Sequence, residues 1–202
     1  PFNWFGRVER RITVGTNGVL TFGDDQLPYG DSEPVPCQWN GAGQGGGRSG
    51  CVQDPDQGVQ RGGHYGVDID GIIAVFWCDL NPNACTDESC GVYYQEISPA
   101  DSNRGSGRNL INLYSLVIEY NIPVFGHTES VCHFEAILSG DGSVLLQYLD
   151  MPTLTGSWSS ESIGFEDQTG TAGVQIAYEE VPAPGTAFDI PPSCHVSSYN
   201  AD

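Results

Sequence analysis

The stretch "DLNPNACTDESC", residues 79 to 90, holds the side chains best spaced to do chemistry. Asp79, Asn81 and Asn83 stand at the Asp-x-Asn-x-Asn spacing that offers alternate oxygens to a calcium ion, with Asp87 and Glu88 close behind. Two positions argue against an EF-hand loop. Ala84 stands where the sharp turn wants glycine, and Cys90 stands where the bidentate glutamate belongs. No helical pattern flanks the segment. The expectation is a polar turn stapled by a Cys85–Cys90 disulfide, with a non-EF-hand calcium loop as its alternative. Asp68 and Asp70 in "DIDG", and Asp54 and Asp56 in "DPDQG", are weaker versions of the same pattern.

Nucleophilic catalysis finds little to work with. The sequence contains no Gly-x-Ser-x-Gly elbow. Cys132 and His133 are neighbours on an apparent strand, so their side chains point to opposite faces and cannot form a dyad. His64, His127 and His195 lie in loop-like sequence without the His-x-x-x-His spacing of a zinc helix. The expectation is a protein that is not an enzyme and requires no cofactor. Loop aromatics give a binding alternative: Trp39 and Tyr29 in Gly-rich sequence, and Trp158 in "TGSWSSES", could stack on sugar rings. Phe76 and Trp77 belong instead to an apolar run and are expected in the core. Asn83-Ala84-Cys85 is the one glycosylation acceptor, of the rare Asn-x-Cys kind, which a disulfide on Cys85 competes with.

The chain that must position these groups is strongly acidic. It carries 26 Asp and Glu against 7 basic residues, all arginine, for a net charge of −19. Such a surface repels nucleic acid and anionic membranes, so neither is an expected partner. No apolar run approaches the ~20 residues of a membrane helix. The start at Pro-Phe-Asn, without an initiator Met or a signal-peptide core, reads as mature or excised material.

Seven cysteines lack Cys-x-x-Cys or zinc-finger spacing and read as disulfide formers of a secreted or surface-exposed protein. Cys85–Cys90 and Cys37–Cys51 are the local pairs. Cys78 and Cys132 both sit on apolar strands, where a bridge between them would cross strands or sheets. That leaves Cys194, in a linker-like tail, unpaired or tied to another domain or chain.

Strand signals run through most of the sequence. "RITVGTNGVLTFG" is a hairpin for which two registers compete. A two-residue turn at Asn17-Gly18 scrambles the apolar face. A three-residue loop, Thr16-Asn17-Gly18, pairs Val14 with Leu20 and Ile12 with Phe22, and demands positive φ at Gly18. "GIIAVFWCDL" suits a central strand buried on both faces. "GVYYQEI" and "NLINLYSLVIEYNI" follow as strands. "SVCHFEAIL" and "SVLLQYLDM" flank the turn "SGDG"; "SIGFED" and "AGVQIAYEE" flank "QTGT". Residues 23–71 hold 13 of the 27 glycines and read as a long insertion. The fold expected is all-β, a two-sheet antiparallel β-sandwich of roughly nine or ten strands with long loops, stabilised by disulfides. Residues 1–190 form one domain on this reading, and 191–202 a C-terminal tail.

The order of these segments resembles a NIDO-type module, the extracellular domain of nidogen, alpha-tectorin and some membrane mucins. "WFGRVERRITVGTNGVLTFG" resembles the family's opening, and "IIAVFWCDLNPNACTDESCGVYYQEI" its central apolar–Phe-Trp–x-Asp … Gly-x-x-Tyr-Tyr segment. "LVIEYNIPVFGHTESVCHFEAILSGDGSVLLQYLDM" resembles its strand pair around a Gly-rich turn, and "SIGFEDQTGTAGVQIAY" a closing hairpin of related surface proteins. The family carries an extra apolar strand before the Phe-Gly, of which this chain holds little. The resemblance implies a non-enzymatic structural or interaction module of an extracellular matrix, adhesion or cell-surface filament protein, bound to neighbouring domains or subunits. A lectin-like domain that binds glycans, with or without calcium, is the alternative.

Overall fold

The computed structural model describes residues 1–22, 51–54, 58–61, 71–99, 114–153, 161–169 and 172–192, with side chains left aside for 51–54, 58–61 and residue 128. Among these residues the regular structure is fourteen strands and one 3-10 turn. In chain order the strands are β1 (Phe2–Trp4), β2 (Arg7–Glu9), β3 (Thr13–Val14), β4 (Val19–Thr21), β5 (Cys51–Asp54), β6 (Gly58–Arg61) and β7 (Ile72–Trp77). After the 3-10 turn Pro82–Ala84 come β8 (Gly91–Ile97), β9 (Ser115–Val124), β10 (His127–Ser139) and β11 (Val144–Asp150). The last three are β12 (Ser162–Glu166), β13 (Gly173–Tyr178) and β14 (Thr186–Ile190). Every pairing between them is antiparallel. The all-β class read from the sequence is the class observed.

The chain divides into two compact units: Pro1–Arg10, Pro82–Pro152 and Pro182–Asp202 make one, Arg11–Asn81 and Thr153–Val181 the other. The first contains a five-stranded sheet in the order β14-β11-β10-β9-β8 and the small β1-β2 hairpin. Strand alternation sets its two faces. Ile118, Tyr120 and Ile122 of β9, Cys132, Phe134, Ala136 and Leu138 of β10, and Val144, Leu146 and Tyr148 of β11 are all buried, while the residues between them are not. Register turns this alternation into rows across the sheet. On the inner face one row runs Val92, Tyr120, Phe134, Tyr148 and the next Tyr94, Ile118, Ala136, Leu146, Phe188; the members on β9, β10 and β11 are buried, and those on the edge strands β8 and β14 are not. The first is an aromatic ladder. Tyr120 stacks on Phe134 with ring centroids 4.7 Å apart, Phe134 on Tyr148 at 6.3 Å, and Tyr148 meets Phe188 edge-on at 5.8 Å.

The second unit contains a five-stranded sheet in the order β13-β12-β7-β4-β3. The run "IIAVFW" is its middle strand, and every residue of it is buried, as a strand covered on both faces should be. The opening hairpin takes the three-residue register. Val14 pairs with Leu20 and Thr13 with Thr21, Gly15 N–H donates to the Val19 carbonyl at 2.8 Å, and Gly18 has φ +74°. The turn also does a second task. The Gly18 carbonyl accepts from the N–H groups of Val75 and Phe76, and the Asn17 carbonyl from Cys78 N–H. The Asn17 side chain accepts from Leu80 N–H at 3.3 Å. Thr16-Asn17-Gly18 thus fastens the hairpin to the end of β7. The same three-residue geometry recurs at "SGDG", where Leu138 pairs with Val144, Gly142 has φ +94°, and Asp141 Oδ1 accepts from the backbone and side chain of Ser143.

Three details differ from the sequence expectations. Ile12 and Val14 are half-buried, because β3 is an edge strand, whereas Leu20, Phe22 and Trp77 are buried as expected. Phe5-Gly6, with φ +47° and +77°, is the turn of a β1-β2 hairpin, so a short strand precedes the Phe-Gly. The Gly-rich stretch 23–71 contains the hairpin β5-β6.

Candidate functional site

The loop from Asp79 to Cys90 leaves the end of β7 and enters β8. Its geometry is set by two local devices. Pro82–Ala84 coil into the 3-10 turn, closed by Cys85 N–H donating to the Pro82 carbonyl at 3.2 Å, and Cys85 and Cys90 are joined by a disulfide with an S–S length of 2.01 Å. Asp87 Oδ1 accepts from Ser89 N–H at 2.8 Å and Ser89 Oγ at 2.5 Å. These bonds, the side-chain one first, hold the Asp87 carboxyl below its ordinary value. Among the described residues no three or more His, Cys, Asp or Glu side chains converge to hold a metal ion, Asp79, Asp87 and Glu88 included. The 3-10 turn, the disulfide and the Asp87–Ser89 bonds together make the stapled polar turn. Asn83 lies exposed on the 3-10 turn, next to the bridged Cys85.

Cys78, at the end of β7, and Cys132, in β10, are both buried thiols rather than the two halves of one bridge. Trp39, Trp158, Tyr29, Cys37, Cys194, Asp56, Asp68, Asp70, His64 and His195 lie outside the described residues, as do the side chains of Cys51 and Asp54. His127 stands at the start of β10, its Nδ1 3.7 Å from Glu129, and not in a loop.

The structure assembles one titratable cluster that the sequence reading did not find. On the non-buried face of the β8–β11–β14 sheet, Glu119 of β9 stands directly opposite Glu135 of β10, and His133 Nε2 lies 2.8 Å from Glu119 Oε1. Cys132, the adjacent thiol, faces the other way and is buried, as the alternation argument required. Tyr93 of β8 and Gln147 of β11 continue the row on either side. The signal was present in "IEYN" and "HFEA" as charge at alternate positions. It could be assembled only once the register paired residues 119 and 135.

Burial raises the Glu135 pKa above its usual 4.5, the Glu119 charge raises it further, and His133 opposes the rise. Because the folded state holds this proton more tightly than the unfolded chain does, ionised Glu135 destabilises the fold. That penalty is absent below the unfolded value and grows as pH climbs through the raised one. Glu135→Gln is expected to stabilise the protein by about 0.2–1 kcal/mol at neutral pH, the scale of a like-charge cross-strand pair on an open face. The gain should vanish near about pH 3, where the carboxyl is protonated in both states. Urea midpoints measured at the two pH values check this; an equal gain at both would mean the effect is not ionic.

The other unit buries three acids, Glu161, Glu166 and Asp167. Glu161, ahead of β12, is wholly buried, and neither carboxyl oxygen has a hydrogen-bond partner among the described residues. Burial raises its pKa above the ordinary value. Its backbone carbonyl accepts from Glu179 N–H at 2.9 Å, which ties β12 to the end of β13.

Among the described residues no helix is long and apolar enough to cross a membrane. No family model matches the chain, and no curated protein or solved structure matches it either.

Proposed function

We propose that the chain is a non-enzymatic structural and interaction module of an extracellular matrix, adhesion or cell-surface filament protein. The observation that carries this reading is the pairing of an all-β, antiparallel scaffold with a loop closed by the Cys85–Cys90 disulfide. Disulfides of this kind persist in oxidising surroundings, outside the cytosol. Two further features support it. The order of motifs resembles a NIDO-type module, whose members sit in larger extracellular proteins. The net charge of −19 keeps such a module soluble and selective for cationic neighbours. The closer of the two His–carboxylate pairs on β10, His133 with Glu119, lies on an open sheet face and turns its back on the neighbouring thiol.

The test uses native material. Mass spectrometry of unreduced peptides is expected to recover Cys85 bridged to Cys90, and immunogold labelling to place the chain outside the plasma membrane. A cytosolic chain with both thiols reduced would overturn the proposal.

A further inference from the structure

We propose that the outer edge of β8 is a docking edge that takes an extended, lysine- or arginine-bearing segment of a neighbouring protein as an added strand. The inference rests on the module reading above and names the surface that module would use.

Four strands end the two five-stranded sheets: β3, β13, β8 and β14. β3 has two residues, too few to template a partner. β13 pairs with β12 through a register shift and is crowded at Gly173. β14 carries no exposed large apolar side chain. β8 is different. Its seven residues pair with β9 in unbroken register, from Gly91 opposite Asn121 to Ile97 opposite Ser115. Among the described residues no strand lies on its other side. Protein edges are usually blunted with proline, lysine, a bulge or extreme shortness, because unpaired N–H and C=O groups invite pairing. β8 has none of these, and the one charge along it is acidic, Glu96, next to its last residue. An edge left able to pair is the form that recognition by strand addition requires.

The side chains say more. Tyr94 belongs to the row Tyr94, Ile118, Ala136, Leu146, whose other three members are buried, yet it is 77% exposed. The apolar row therefore runs out to a large ring lying open at the sheet margin. Tyr93, 40% exposed, lies on the opposite face and is held there by its hydroxyl donating to the Glu88 carbonyl. An incoming strand would have a tyrosine above and below it. Each ring would contribute on the scale of a cross-strand aromatic pair, and the backbone bonds would set the register.

Charge selects the occupant. Asp87 and Glu88 precede the strand, Glu96 lies within it, and Glu119 and Glu135 stand on the adjoining face. None of the seven arginines lies in β8, β9, β10, β11 or β14. A second copy of this chain would bring the same acidic edge against itself, at −19 per chain. A basic segment meets opposite charge at both ends of the edge, from Asp87 and Glu88 ahead of it and Glu96 near its close, and is steered to it.

The intact chain is titrated into a fluorescein-labelled ten-residue peptide in which lysine alternates with valine and threonine. Saturable binding is expected, with new amide-exchange protection at residues 91–97. A matched peptide with glutamate for lysine should bind at least tenfold more weakly, and one N-methylated at alternate residues should lose binding, because it keeps the charge but not the strand bonds. Tyr94→Lys should weaken binding at least tenfold, whereas Val174→Lys on the β13 edge should leave it unchanged. Circular dichroism checks that both variants fold. Equal binding of the N-methylated peptide, no effect of Tyr94→Lys, or self-association of the chain through β8 in the ultracentrifuge would each overturn the proposal. If the peptide fails while native chain is still found oxidised and extracellular, the edge is wrong and the module reading stands; a reduced, cytosolic chain removes both.

Discussion

Phe134→Ala is expected to cost about 3–5 kcal/mol, the largest single-site loss we anticipate in this protein. The ring is wholly buried in the middle of β10 and is the centre of the aromatic ladder, stacked on Tyr120 at 4.7 Å and on Tyr148 at 6.3 Å. Removing it deletes its own buried surface and leaves both tyrosines with an empty side. Neither can follow into the space, since each is fixed by its strand's pairing with β10. The cavity therefore stays open, and its cost adds to the lost transfer energy. Burial also drives the hydroxyls of Tyr120 and Tyr148 upward in pKa, which favours their neutral form. Equilibrium urea unfolding, followed by near-ultraviolet circular dichroism, measures the loss. Ile137→Ala, on the same strand but the other face, is the comparison and should cost about 1 kcal/mol or less. Equal costs for the two would refute the division of the sheet into a buried and an open face.

The second large effect comes from adding one methyl group. In Gly173→Ala the new Cβ would run into the Phe165 carbonyl oxygen and lie 2.9 Å from both Cα and Cβ of Glu166. These are mostly backbone atoms of β12, the strand that pairs with both β13 and β7, so no side-chain rotation relieves the clash. β13 must move away, weakening the pairing from Glu166–Gly173 to Ser162–Tyr178. The expected loss is about 1–3 kcal/mol, accompanied by faster amide exchange along β13. Gly185→Ala separates this from conformational strain. Gly185 has φ +81° and nothing within 4 Å of an added Cβ, so its cost is confined to the left-handed backbone, about 1–2 kcal/mol. An alanine at 173 with wild-type stability and exchange would show that β12 and β13 approach less closely than described.

What the sequence made legible was whatever is decided within a few residues. The Thr16-Asn17-Gly18 register follows from keeping Val14 and Leu20 on one side, and the structure has that pairing. The central place of "IIAVFW" follows from an apolar run too short for a helix and too continuous for a half-exposed strand. Longer-range arrangements left weaker traces. β9 and β10 extend through Pro123–Val124 and back from His127, because the long antiparallel ladder absorbs a register shift between His127 and Val131 that no local pattern announces. The Glu119–His133–Glu135 cluster needed the register of that ladder. Of the passages of the chain between its two units, at Arg10, Asn81, Pro152 and Val181, three fall at a proline (Pro82, Pro152, Pro182), which marks a turn as readily as a boundary. Asp87 is a candidate ligand by spacing, and what spacing could not show is that its Oδ1 accepts twice from Ser89, two residues away, as short-range turns commonly do with aspartate.

The place of β7 in its sheet has a consequence for biosynthesis. β9, β10 and β11 follow one another along the chain and can zip together as soon as they leave the ribosome. β7 cannot be completed that way, because one flank is covered by β4, already made, and the other by β12, made much later. At ~5–20 residues per second, "IIAVFW" waits on the order of ten seconds with one side unpaired. An uncharged six-residue strand without proline or glycine is the kind of segment that nucleates aggregation. A holding chaperone acting on the nascent chain between Trp77 and Ser162 is the protection this topology calls for.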